Sequence, residues 1–159
     1  MSVEQFGSAV DIPVPGDYDG GGRDELAVYR NGVWWMLELA TRQISVTSFG
    51  LPTDQPVPAD YDGDGKIDQA VFRLGEWHLN RSSLGYMVVN FGLAYDKPLP
   101  ADYDGDGKAD PTVYRDGTWY LDRSSQGVAA IQWGLAADTP TPADYDGDNK
   151  DDIAVFRPS

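Results

Sequence analysis

The chain has 159 residues, with 26 acidic against 12 basic side chains, a formal net charge of −14 and no cysteine. That length supports one domain with a real core. The missing cysteines exclude disulfides and thiolate metal sites, and the acidic balance excludes a nucleic-acid binder, which needs clustered Lys and Arg to displace counterions. No apolar run approaches about 20 residues, so no membrane insertion is predicted.

Met1 to Asp11 comes first and lacks a basic n-region and an apolar h-region, so no signal peptide is predicted in this chain. An excised or engineered piece of a longer protein would read the same way. Ser2 to Tyr18 matches the tail of a repeat, with Phe6-Gly7 and Pro13-Val14-Pro15 in register. Four acidic loops then open at Asp17, Asp60, Asp102 and Asp144, spaced by 43, 42 and 42 residues. Each runs into an apolar stretch, as in ADYDGDGKIDQAVFR. After the first three comes a Gly-x-Trp segment, starting at Gly32, Gly75 and Gly117, then a turn and an aromatic-Gly step at Phe49-Gly50, Phe91-Gly92 and Trp133-Gly134. The chain thus reads as one repeat domain, 1–159. Full repeats fall at about 14–56, 57–98 and 99–140, and a partial repeat, 141–159, is completed by 1–13.

Within a repeat the pattern predicts four short strands. In the second repeat these are Val57 to Ala59, Gln69 to Arg73, Glu76 to Arg81 and Tyr86 to Phe91. The run Ala70-Val71-Phe72 suits a strand buried on both faces. Along the next strand Trp77 and Leu79 face one way, His78 and Asn80 the other. The stretches Arg81-Ser82-Ser83-Leu84-Gly85 and Arg123-Ser124-Ser125-Gln126-Gly127 read as hairpin loops. The fold class is therefore all-β, and four strands in about 42 residues is the dimension of a β-propeller blade. A β-solenoid fits less well, because its coils are shorter. The phase of the partial repeats lets the N-terminal strand complete a sheet begun at the C-terminus, although that unit would lack its Gly-x-Trp strand. About four blades per chain would close as a small ring or, in a homodimer, as a larger one, since an open arc exposes sheet faces and edges.

The loops carry metal-ligand chemistry. Asp60, Asp62, Asp64, Lys66 and Asp68 occupy positions 1, 3, 5, 7 and 9 of the second loop, with Lys66 giving its carbonyl and sending its side chain to solvent. Asp102, Asp104, Asp106, Lys108 and Asp110 repeat the set, as do Asp144, Asp146, Asp148, Lys150 and Asp152. Calcium takes six to eight oxygens from carboxylates, carbonyls and water, and alternate residues of a tight loop point such oxygens inward. Magnesium demands a stricter octahedron, and zinc wants His or Cys, of which only His78 exists. Asn149 replaces the second loop glycine in the fourth loop and tolerates its left-handed geometry. The first loop offers Asp17, Asp19, Arg23 and Glu25 but has Gly21 at position 5, so a weak or empty site is expected there. A helical hand would need Glu at position 12, where Val28, Val71, Val113 and Val155 stand.

The D-x-D-G-D-G-x-x-D loop running directly into a strand, together with the Phe-Gly steps, resembles the FG-GAP/VCBS repeats of integrin α-chain-like β-propellers. The resemblance covers the whole chain and implies calcium held in a hairpin loop between the first two strands of a blade. The units are shorter than integrin ones and lack a clear Gly-Ala-Pro element, so partner surfaces do not transfer.

For function, a non-catalytic, calcium-stabilised extracellular or cell-surface module with structural, adhesive or protein-interaction roles requires only what is visible. Millimolar calcium fills weak sites outside the cell, and bound metal stabilises the fold by mass action. His78 has no matching base or nucleophile, and Asp116-Gly117-Thr118-Trp119 lacks the spacing of a sialidase Asp-box, so no enzyme is predicted. Trp34, Trp77 and Trp119 recur at one position and read as core. The alternative is a propeller lectin, with Trp35, Tyr120 and Trp133 as sugar platforms.

Overall fold

A computed structural model describes residues 5–159 of the chain. Fourteen strands and no helix occur among them. The first sheet comprises β1 (Ile12–Pro13), β2 (Leu26–Arg30), β3 (Val33–Leu37) and β4 (Ile44–Ser48). The second holds β5 (Gln55–Pro56), β6 (Gln69–Arg73), β7 (Glu76–Arg81) and β8 (Gly85–Asn90). The third holds β9 (Lys97–Pro98), β10 (Thr112–Arg115), β11 (Thr118–Arg123) and β12 (Gly127–Gln132). A fourth sheet has two strands, β13 (Thr139–Pro140) and β14 (Val155–Phe156). Every sheet is an antiparallel meander with its strands in chain order.

Local chemistry sets this pattern. The β6–β7 hairpin closes on Leu74-Gly75, both at positive φ (52° and 92°), with Arg73 opposite Glu76. A two-residue turn of that hand matches the twist of the flanking strands. Asn31-Gly32 and Asp116-Gly117 repeat it. Along β7 the side chains alternate as expected, with Trp77 and Leu79 buried. On β6, Ala70, Val71 and Phe72 are all buried, because the strand has a core on each side. Ala70 and Phe72 pack with Trp77 and Leu79 of their own sheet. Val71 points backwards into the first sheet, among Val14, Ala27, Tyr29, Trp34 and Met36. Val113 and Val155 do the same to the second and third sheets.

The aromatic-Gly steps make that stacking possible. A Cβ on Gly50 would lie 3.1 Å from Val71, one on Gly92 3.0 Å from Val113, and one on Gly134 3.1 Å from Val155. Gly7 approaches Val28 in the same way, so the segment around it covers the first sheet. Trp34, Trp77 and Trp119 are wholly buried, as their recurrence predicts. Their indole N–H groups donate to the carbonyls of Phe49, Phe91 and Trp133 at 2.8, 2.8 and 2.9 Å. Burying one indole removes roughly 200 Å² from water, about 5 kcal/mol of gross transfer energy.

Two expectations need correction. The inner strand lies at Gln55–Pro56, upstream of the expected Val57 to Ala59, where it pairs in register with Phe72 and Val71. Val57 still donates to Ala70 and Ala59 bridges Asp68. The outer strand begins at Gly85, opposite Arg81, and stops at Asn90, because the Phe91 N–H turns to the Gly75 carbonyl. Ile12–Pro13 is the inner strand of the first sheet and pairs with β2; the stretch before Phe6-Gly7, expected to complete the fourth unit, lies largely outside the described residues. Among the described residues successive sheets pack on one another and close no ring.

Candidate metal centres

Each acidic loop is organised by its first aspartate. In the second loop one oxygen of Asp60 accepts from Gly63 N at 2.7 Å and Asp64 N at 3.3 Å, and the other from Gly65 N at 2.8 Å. Asp17, Asp102 and Asp144 close their loops in the same manner. The geometry needs left-handed backbone, which Gly63 and Gly65 supply at φ 77° and 86°. Asn149 takes the second of these positions at φ 66°, as its residue type predicts.

Position 9 is reached by the strand leaving the loop. Asp68 is buried and accepts from Tyr61 N at 2.9 Å. Its second oxygen accepts from Ser82 N at 2.7 Å, at the tip of the β7–β8 hairpin. Position 3 is held by the same tip. One oxygen of Asp62 accepts from Ser83 N, Ser83 Oγ and Leu84 N at 2.9, 2.8 and 3.0 Å. Its other oxygen, Oδ1, is buried without a hydrogen-bond partner, and Asp104 Oδ1 repeats this in the third loop. Ser124 and Ser125 play the roles of Ser82 and Ser83 there. The sequence shows these serines as hairpin loops. Their donation into acids 14 to 21 residues upstream is not visible locally, although the Ser-Ser repeated after Arg81 and Arg123 was a usable signal.

The structure brings together positions 1, 3 and 9. Asp17, Asp19 and Glu25 form one group, Asp60, Asp62 and Asp68 a second, Asp102, Asp104 and Asp110 a third, and Asp144, Asp146 and Asp152 a fourth. In each group one ligand atom per residue lies within 4.8 Å of the others. Oxygens about 2.4 Å from a shared calcium ion are at most about 4.8 Å apart, so this spread fits. Position 5 does not join the groups. Asp64 accepts from Lys66 N at 2.9 Å and Ser82 Oγ at 2.5 Å, and Asp106 from Lys108 N at 3.0 Å and Ser124 Oγ at 2.5 Å. Asp148 likewise accepts from Lys150 N.

The first loop keeps its triad although it has no position-5 acid, and its position-9 acid, Glu25, accepts from Tyr18 N at 2.8 Å. Glu38 lines the adjoining cleft of about 270 Å³ with Asp19 and Glu25. Arg23 is exposed. The lysines depart from expectation. Lys66 lies along Gly20 of the preceding loop, Lys108 along Gly63 and Lys150 along Gly105, so these side chains pack on the neighbouring unit before reaching water. The loops are also joined by backbone, with Ile67 N donating to Asp17 O at 2.7 Å, Ala109 N to Asp60 O at 2.6 Å and Asp151 N to Asp102 O at 2.7 Å.

The electrostatics are divided. Burial, with the nearby Asp104 and Asp102 charges, pushes the Asp110 carboxyl up to about 6 against the hydrogen bonds from Ser124 and Tyr103. Burial likewise raises Asp68. Burial also opposes the charge on Asp62 and Asp104, but the donors from Ser83 and Ser125 outweigh it and hold both below the usual carboxylate range. The second and third centres thus gather carboxylates around a buried, unsatisfied oxygen, whereas in the first and fourth the equivalent oxygen accepts from Gly21 N or Asp148 N. Such an all-oxygen set could hold a hard divalent cation.

The three aromatic platforms are carried by the first and third sheets. Trp35 on β3 has the Arg30 guanidinium 5.8 Å from its ring centroid, and Tyr120 on β11 has Arg115 at 4.7 Å. Trp133 is exposed after β12. His78 stacks on Tyr86 and bonds its hydroxyl through Nδ1 at 2.8 Å.

Compared with models of protein families and with curated proteins, the sequence matches none.

Proposed function

We propose that the chain is a calcium-stapled, non-catalytic β-propeller-type module of the FG-GAP/VCBS kind, with a structural or adhesive role outside the cell or on its surface. The observation that carries the reading is the pair of orphaned oxygens, Asp62 Oδ1 and Asp104 Oδ1. Each is buried in a carboxylate triad while its partner oxygen is saturated by a hairpin tip. A buried carboxylate oxygen without a donor costs free energy that a cation would recover. Calcium there would tie loop to hairpin tip in the second and third units. Three sheets joined by inserted valines support the propeller-type arrangement, in which each sheet is a blade. Sites of roughly 10⁻⁴ to 10⁻³ M affinity fill at extracellular calcium without regulation, which favours that compartment.

Calorimetric titration of chelator-treated protein with calcium tests this. The expected result is uptake of several ions per chain, a higher melting temperature, and a much weaker response to magnesium. No heat and an unchanged melting temperature would sink the reading.

A further inference from the structure

The joint between the first and second sheets differs from the next joint at one position. Trp35, His78 and Tyr120 are equivalent residues, paired across the sheet with Val28, Val71 and Val113. Tyr120 packs against the core of the second sheet, and the Arg115 guanidinium lies over its ring, with Cζ 4.7 Å from the centroid. Arg30 lies over Trp35 in the same way at 5.8 Å. Arg30, Arg73 and Arg115 each fork onto an aspartate through Nε and NH2. That grip uses the edge of the guanidinium plane and leaves its face for a ring. At the first joint the ring position beside Arg73 falls to His78, whose imidazole is smaller than a phenol or an indole. It is also drawn towards β8, where it stacks on Tyr86 with centroids 6.3 Å apart and bonds the Tyr86 hydroxyl at 2.8 Å. A cleft of about 260 Å³ lies at this joint, lined by Phe49, Gly50, Val71, Arg73, His78 and Tyr86.

We infer that this cleft binds a small, neutral, electron-rich aromatic molecule, a phenol or an indole, whose ring takes the place that Tyr120 fills one joint later. Size, walls and charge all select that class. Drug-sized ligands occupy roughly 300 to 1,000 Å³, so this cleft suits a single or fused ring. Phe49 of the first sheet and Tyr86 of the second meet edge-on across it at 6.2 Å, and with Val71 they give it apolar walls. The Arg73 face attracts a π-cloud, most strongly that of an electron-rich ring. Arg73 also disfavours a cation, while the net charge of −14 disfavours an anion. No loop acid lines the cleft, so the inference stands apart from the calcium reading.

The test titrates the full chain with phenol and with indole, followed by methyl and amide NMR shifts. Saturable shifts centred on Phe49, Val71 and His78 are expected, with a dissociation constant on the order of 1 mM for so small a ligand. Intermolecular Overhauser contacts should join the ring protons of phenol to the Val71 methyls. Cyclohexanol, of similar size but without a π-face, should bind about tenfold more weakly. His78→Tyr supplies the missing ring from within the chain and should weaken phenol binding by about tenfold or more. Absence of saturable shifts, equal binding of cyclohexanol, Overhauser contacts at another place, or undiminished binding to a folded His78→Tyr protein each overturns the proposal. The cyclohexanol comparison and the Overhauser contacts use the unmodified chain, so they decide the matter even if His78→Tyr folds poorly.

Discussion

Arg73 grips Asp54 through two parallel hydrogen bonds, Nε to Oδ1 at 2.7 Å and NH2 to Oδ2 at 2.6 Å, with the Asp54 side chain fully buried. Arg30–Asp11, Arg115–Asp96 and Arg157–Asp138 repeat this fork, always 19 residues apart. Asp54 also accepts from Leu51 N at 2.7 Å, so it fixes the turn after Phe49-Gly50. Each pair therefore ties the aromatic-Gly turn of one unit to the second strand of the next. Arg73→Ala would leave a buried carboxylate with one donor, and should cost on the order of 3 kcal/mol, read from the denaturant midpoint. Arg73→Lys, without the planar fork, should recover only part of that loss.

Stability should depend on pH in two opposite ways in metal-free protein. Burial raises Asp54 and Asp96, yet the hydrogen bonds from Arg73 and Arg115 outweigh it and hold both below their ordinary value. Their contribution is present above the unfolded carboxylate range and is lost as pH falls through the lower folded values. Asp110 has the other sign. Its folded value near 6 stands above the ordinary 3.8, so protonation favours the fold. Between those two values stability falls as pH rises. Thermal melts in chelator should show a maximum near pH 4 to 5 and a decline towards pH 7. Saturating calcium should reverse the decline, and a flat profile in chelator would contradict the Asp110 assignment.

Asp62→Asn and Asp64→Asn separate the two kinds of loop acid. The first removes charge beside an orphaned oxygen, whereas the second alters a residue bonded to Ser82 and Lys66. Calorimetry should show one fewer calcium per chain for Asp62→Asn and an unchanged stoichiometry for Asp64→Asn. Equal losses would mean that position 5 ligates directly.

Leu74 sits at φ 52° and is 73% exposed, where sister turns use Asn31 and Asp116. A branched side chain is strained there and gains nothing from burial. Leu74→Asn should stabilise by about 1 kcal/mol, measured by urea unfolding.

Trp77 combines full burial with an indole bond to the Phe91 carbonyl. Trp77→Ala should cost about 3 to 5 kcal/mol through its cavity. Trp77→Phe keeps most of the ring but orphans the carbonyl, for about 1 to 3 kcal/mol. Near-equal melting temperatures for the two variants would show that the hydrogen bond, not the volume, dominates.

Much of the repeat was legible in the sequence because its determinants are local. Gln69–Arg73 and Glu76–Arg81 follow from alternation and an apolar run, and the loops from acids at alternate positions. What stayed hidden lies between units. Nothing local marks Asp54 and Arg73 as a pair, although the spacing of 19 residues recurs in every unit. Spacing also says nothing of Ser82, whose hydroxyl donates to the position-5 acid Asp64. Lys66 looked solvent-bound because the loop it crosses belongs to the preceding repeat.

The inserted valine gives the array a direction. Val71 enters the first sheet, Val113 the second and Val155 the third, always from the later unit into the earlier one. A defect in one core is therefore felt by the strand that follows it, whereas the preceding core keeps its own aromatic filling. The molecule works as a vectorial polymer in which each link is both plug and socket. Lengthening or shortening it by whole links leaves every remaining joint chemically unchanged.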